Sequence, residues 1–204
     1  MARKTKAEAA ATREALLDAA EEIFLDKGVA RTSLEQIARH AGMTRGAVYW
    51  HFKNKADLFQ AMLNRVRMPF RELVEEIGDP SLTERPLEAI RLAILKGFER
   101  LEQPRYRRVY AILIHHCEVF GDIDPLAMQN EMAEEACGAL ADYLTCSSRL
   151  GQLRDDLSPE IAAELMQAML GGLFHDWLRN NEDLSLVAKG RVLVDTQLAL
   201  MRPA

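Results

Sequence analysis

Thr44, Arg45, Gly46 and Tyr49 lie within two helical turns of one another, and His51, Lys53 and Lys55 follow at once. A guanidinium fork, a small residue and a phenol projecting together from a short helix suit hydrogen bonding to base edges and phosphate oxygens. Gly46 sharpens this reading, because glycine inside a helix costs about 1 kcal/mol relative to alanine, and close approach to a DNA backbone or base edge would explain it. A second cluster, His115-His116-Cys117-Glu118, offers metal-ligand types. Adjacent helical residues point about 100° apart, so these four cannot face one ion, and zinc sites use wider spacings. We find no metal site, no cofactor site, and no Ser/His/Asp set, phosphate-binding glycine loop or carboxylate pair that suits catalysis. The chain reads as a binding protein rather than an enzyme.

The elements that must position these groups are helices. Apolar residues recur at three- and four-residue intervals and no stretch alternates as a strand would. The first helix is expected from Ala7 to Lys27, closed by Gly28. Thr32 with Glu35 and Ser33 with Gln36 offer overlapping capping boxes for a short helix from Leu34 to Ala41. Gly42 stops it, and Thr44 can cap a third helix from Arg45 to Phe52, with Val48 and Phe52 facing inward. Two short helices joined by a tight glycine-containing turn form a helix-turn-helix pattern, whose second helix enters the major groove. Trp50 is expected to wedge this small domain together. Asn54 caps a fourth helix that should bend or break near Pro69. Further helices are expected at Pro86 to Glu102, Pro104 to Phe120, Pro125 to Ser148, Pro159 to Asn180 and Leu184 to Met201, about nine in all.

The overall charge of −5 argues against a nucleic-acid partner until its distribution is considered. Residues Met1 to Arg67 hold twelve lysines and arginines against eight aspartates and glutamates, a net of +4 that leaves −9 for the remainder. A basic module on an acidic body fits phosphate binding at one end only. The Arg3-Lys4-Lys6 arm could reach an adjacent groove or serve as a solubilising end. The longest apolar run, Val109 to Ile114, is far short of the roughly 20 residues that a membrane span requires. No early segment resembles a secretion signal, so a cytoplasmic location is expected. Three cysteines form no C-x-x-C pair and are read as reduced and packed.

The run Thr44-Arg45-Gly46-Ala47-Val48-Tyr49-Trp50-His51-Phe52-Lys53-Asn54-Lys55 resembles the signature of the TetR family of repressors. Gly28-Val29, Thr32, Ile37-Ala38 and Ala41-Gly42 extend the likeness over most of residues 12 to 63. The opening Met1-Ala2-Arg3-Lys4-Thr5-Lys6 further resembles the AcrR and TtgR branch, which regulates multidrug-efflux operons. The resemblance implies an all-α fold, with a DNA-binding domain over residues 1–55, a connecting helix over 56–78, and a ligand-binding and dimerisation domain over 79–204. It implies that Thr44, Arg45 and Gly46 open the recognition helix, with Arg45 reading a base. Tyr49 and His51 match phosphate-contacting positions, Lys55 and the Asn54 cap place a cation and a helix N-terminus beside the backbone, and Thr32 or Ser33 should touch a phosphate.

For the C-terminal domain, the branch carries a His-His-x-Cys-Glu segment on a helix lining its drug pocket. This chain has Ile114 where the first histidine would fall. Tyr110, His115, His116 and His175 remain as polar pocket candidates, with Leu92, Leu113, Met166, Leu170 and Phe174 as apolar walls, although all could simply pack a core. Gly171-Gly172 suggests close helix contact or room for a ligand. Broad apolar surfaces on the last two helices, Ala162, Leu165, Met166, Met169 and Leu173, then Leu186, Val187, Leu193, Val194, Leu198 and Met201, suit a homodimer. The expected function is a dimeric repressor on a palindromic operator, released by a small hydrophobic or aromatic ligand. The alternatives are an acyl-CoA-responsive or activating regulator, and a helical ligand-binding protein without an operator.

Overall fold

The computed structural model describes residues 6–180 and 185–203. Arg3 and Lys4 of the basic arm, and Leu184 at the expected start of the last helix, lie outside the described residues. Among the described residues there are ten α-helices: α1 Lys6–Lys27, α2 Leu34–His40, α3 Arg45–His51, α4 Lys55–Asn64, α5 Phe70–Glu75, α6 Pro86–Leu101, α7 Pro104–His115, α8 Pro125–Arg149, α9 Pro159–Arg179 and α10 Leu186–Met201. A 3₁₀ turn covers Pro80–Thr83, and the β-structure among these residues is an isolated bridge between Phe120 and Ile123. No helix among them is long and apolar enough to cross a membrane.

The chain forms two compact units. The first comprises the residues up to Arg67 together with Arg105–Met128. Its α1 packs on α2, α3 and α4. Leu16, Phe24, Ile37, Val48, Phe52 and Phe59 are fully or almost fully buried, so the apolar stripes anticipated from periodicity meet in one core. Gly28 closes α1 at φ +80°, a left-handed conformation that side chains with a Cβ rarely adopt. A cluster of ionic contacts joins α1 to α7 and to the residue that follows α4. Glu21, only 1% exposed, lies 2.9 Å from the Arg65 guanidinium, 3.3 Å from Arg108 and 3.6 Å from Arg105. Asp18 adds contacts of 2.5 Å to Arg65 and 3.0 Å to Arg105. Burying a carboxylate is tolerable when several cations surround it.

The second unit comprises Met68–Pro104 and the chain from Gln129 onward. Here α10 packs on α6 and α9, and α5 packs on α6. The crossing of α10 over α6 is close at Gly190, where an added Cβ would overlap the Phe98 ring. Arg91 on α6 reaches Asp195 on α10 at 2.5 Å and fixes their register. This partition differs from a continuous domain over 79–204, because α7 from Arg105 onward packs in the first unit.

Over 56–78 the helix breaks near Pro69, as its sequence suggests: α4 ends at Asn64 and α5 begins after Pro69. Proline has no amide hydrogen and disfavours helical geometry in the residue before it, which accounts for the break. By contrast, α7 ends at His115 rather than at the expected Phe120. Residues 116–119 run irregularly, and Phe120 and Ile123 then exchange hydrogen bonds of 3.0 and 2.9 Å across a turn containing Gly121.

Candidate nucleic-acid interface

Of the overlapping capping boxes, the chain uses the second. Ser33 Oγ accepts from the Gln36 amide, and the Gln36 side chain accepts from the Ser33 amide at 2.8 Å. After α2, Gly42 turns the chain at φ +67°, and the Met43 amide donates back to the Ala38 carbonyl at 2.8 Å. Thr44 then caps α3 by accepting from the Ala47 amide. Val48 is fully buried beneath α3, and Phe52 is buried just beyond it. These inward residues turn Arg45, Gly46, Tyr49 and Trp50 toward solvent.

The outward groups form a small network. Tyr49 donates its hydroxyl to Glu35 at 2.8 Å, and Arg45 Nε sits 3.3 Å from the same carboxylate oxygen. The Arg45 guanidinium also lies 5.4 Å from the centre of the Tyr49 ring, within cation–π range. The Tyr49 hydrogen bond, with help from Arg45, holds the Glu35 carboxyl below the usual carboxylate range. One glutamate on α2 therefore orients both side chains on α3. Gly46 has no internal explanation, since an added Cβ would meet only Thr44 Oγ1, at 3.9 Å. Its small size leaves this part of the α3 surface open to approach from outside.

Other candidates are placed differently from expectation. Thr32 is buried, and its hydroxyl donates to the Gly28 carbonyl at 2.9 Å, so Ser33 is the exposed member of that pair. Trp50 does not wedge the domain together: it is 72% exposed and meets His51 edge-on, with ring centres 4.5 Å apart. Periodicity could not separate it from a core aromatic, because it follows Tyr49 and precedes a partly buried His51. A groove of about 480 Å³ runs beside it, lined by Ala9, Thr12, Thr44, Gly46, Ala47 and His51. Lys55 turns inward and donates to the carbonyls of Val29, Ala30 and Thr32 at 2.7, 3.3 and 3.0 Å.

Comparison with known proteins places this geometry. Residues 16–62 match the family described as bacterial regulatory proteins, tetR family, and residues 85–203 match the C-terminal region of MAATS-type transcriptional repressors. The repressor BepR of Brucella suis is 35% identical over 98% of this chain and 96% of its own length. The chain belongs to the TetR family. The regulator TtgR of Pseudomonas putida is 38% identical over 99% of this TetR-family chain and 97% of its own. Among solved structures, NalD, the secondary repressor of the MexAB-OprM multidrug efflux pump in Pseudomonas aeruginosa, superposes with a TM-score of 0.78 at 36% identity, covering 94% of this chain and 96% of that one. SmeT, the repressor of the Stenotrophomonas maltophilia pump SmeDEF, in complex with triclosan, gives a TM-score of 0.81 at 35% identity, over 95% of this chain and 92% of that one.

The sensor candidates of this TetR-family chain fall in both units. Tyr110 and Leu113 on α7 are buried, and the Tyr110 hydroxyl donates to the Val66 carbonyl at 3.3 Å. Burial raises the Tyr110 pKa to about 12, so it is a neutral donor throughout the ordinary pH range. His115 is exposed, whereas the His116 carbonyl accepts the Val29 amide at 2.9 Å. In the second unit, Met166 is buried, while Leu92, Leu170 and Phe174 are half-buried. His175 is exposed and stands edge-on to Phe174.

The apolar residues expected at a dimer contact also separate. Ala162, Met166, Leu173, Leu186, Val194, Leu198 and Met201 are buried within the unit, as core. The apolar positions that remain open are Ile161, Leu165, Ala168 and Gly172 on α9, and Val192 and Leu200 on α10. Spacings of four, three and four keep the α9 members on one face.

Proposed function

We propose that this chain is a dimeric repressor that binds a palindromic operator, controls a multidrug-efflux operon and leaves DNA when a small hydrophobic or aromatic ligand binds. The observation that carries the reading is the outward pair Arg45 and Tyr49 on α3, both held by Glu35 on α2. Arg45 would read a base, with Ser33, Thr44, Tyr49 and His51 positioning the backbone and Gly46 allowing close approach. Residues 1–55 would serve DNA binding, 56–78 would connect through α4 and α5, and 79–204 would serve ligand binding and dimerisation. The likeness to NalD and SmeT, repressors of multidrug efflux pumps, supports the pathway, and the triclosan complex of SmeT supports the ligand class. Ligand contacts are proposed for Leu92, Tyr110, Leu113, His115, His116, Met166, Leu170, Phe174 and His175. A cytoplasmic location goes with this role.

The open apolar positions on α9 and α10 would form the homodimer contact. Two recognition helices would then meet successive major grooves about 34 to 36 Å apart. Release requires a ligand that prefers the unbound state, by roughly 5.5 kcal/mol to move a 1:99 mixture to 99:1. Mobility shifts with DNA from upstream of the chain's own gene, across salt concentrations and with triclosan added, test the proposal. Sequence-specific binding with steep salt dependence, lost on ligand addition, is the expected result. Binding that ignores sequence would sink it.

A further inference from the structure

Lys55 stands where the family resemblance puts a cation beside the DNA backbone, yet its half-buried ammonium is taken up by carbonyls of the protein itself. An ammonium has three N–H donors. Three carbonyls of the α1–α2 loop, those of Val29, Ala30 and Thr32, take them. The Phe120 ring covers the same ammonium at 4.8 Å, and Phe59, one turn along α4, meets Phe120 edge-on at 5.8 Å. Desolvation lowers the Lys55 pKa, in keeping with an ammonium withdrawn from water.

The loop that Lys55 grips is also tied from the other side. The Val29 amide donates to His116 O at 2.9 Å, and a Cβ on Gly28 would come within 3.4 Å of that same carbonyl. Within the loop, Thr32 bonds back to Gly28, which leaves Ser33 to begin α2. The segment after α7 is itself closed by the reciprocal bonds of Phe120 and Ile123. Residues 28–33, the start of α4 and residues 116–123 thus share one joint, with the Lys55 ammonium at its centre.

We propose that Lys55 is a positioning residue rather than a phosphate ligand: with Phe120 it fastens the α1–α2 loop to the segment following α7, and so sets the attitude of α2 and α3. The proposal rests on the DNA-binding reading for its consequence but not for the joint itself. It also gives the segment after α7 a direct hold on the loop that launches the helix-turn-helix.

The test compares the full-length parent with Lys55→Met, Lys55→Arg and Phe120→Leu. Amide hydrogen exchange in the free proteins should speed up over residues 28–36 in all three, because a planar guanidinium cannot replace three converging ammonium donors. Operator binding should weaken about tenfold in Lys55→Met and Phe120→Leu with an unchanged salt slope, whereas loss of a phosphate contact would lower the slope by about 1. The proposal is overturned if Lys55→Met lowers the slope, Lys55→Arg restores parental binding and Phe120→Leu behaves as parent. Unchanged exchange in every variant overturns it as well. If the parent binds no DNA specifically, the DNA reading fails while the exchange measurement still decides the joint. Should Lys55→Met not fold, the other two variants carry both readouts.

Discussion

The Tyr49 hydroxyl donates 2.8 Å to Glu35, and that carboxylate also holds Arg45, so the groups proposed to read DNA are bonded to an acid before any DNA arrives. Contact with a base would have to draw Arg45 away from Glu35, leaving a negative charge beside phosphates. Glu35→Gln keeps an acceptor for Tyr49 and removes the charge. Operator affinity should rise a few-fold, with non-specific binding rising in parallel, as measured by titrations on specific and scrambled duplexes. Weaker binding in this variant would mean that the acid orients Arg45 more than it restrains it.

Arg45→Ala and Tyr49→Phe should separate specification from positioning. Arg45→Ala is expected to cost about 1–3 kcal/mol and to relax preference at one base position, while Tyr49→Phe weakens all sequences alike. Binding selections over a randomised half-site measure both. Normally folded variants that bind as tightly as the parent would remove these residues from the interface.

Burial raises the Glu21 pKa, even against the lowering effect of Arg65, Arg105 and Arg108 and with Asp18 adding to the rise. A carboxyl whose folded pKa exceeds its unfolded one binds more protons in the native state, so its contribution is complete below the unfolded pKa. That contribution is lost as pH climbs through the folded value. Glu21→Gln has no such titration. The melting temperature of the parent relative to Glu21→Gln should therefore be most favourable at low pH and fall as pH rises through the window above the ordinary glutamate range. A difference that grows with pH instead would show that the three arginines dominate the site.

Leu165 and Val192 are half or more exposed on α9 and α10. If these open positions join two copies, Leu165→Glu or Val192→Glu should yield a folded monomer by light scattering and abolish half-site cooperativity on the operator. A variant that stays dimeric places the contact elsewhere.

Much of the fold was legible because local chemistry agreed with global packing. Gly28, Gly42, Ser33, Thr44 and Asn54 each end or begin a helix where their backbone freedom or side-chain oxygen is needed. The outward face of α3 was legible too, as Val48 and Phe52 point inward and so fix what points out. What was not legible depended on long-range partners. Nothing near Lys55 in sequence announces Val29, Ala30 and Phe120, so its position read as a cation beside the DNA backbone. The apolar positions of α9 and α10 are divided between core and open face by a one-residue step, Met166 against Leu165, and composition does not record which is buried and which is open.

At Gly46 the protein has room for a larger residue. Gly46→Ala fits the helix without a clash and would be expected to make α3 more stable by about 1 kcal/mol. Folding alone therefore gives this position every reason to drift away from glycine. If it is retained, the pressure is exerted by the partner molecule, and recognition can be retuned at residue 46 without putting the fold at risk.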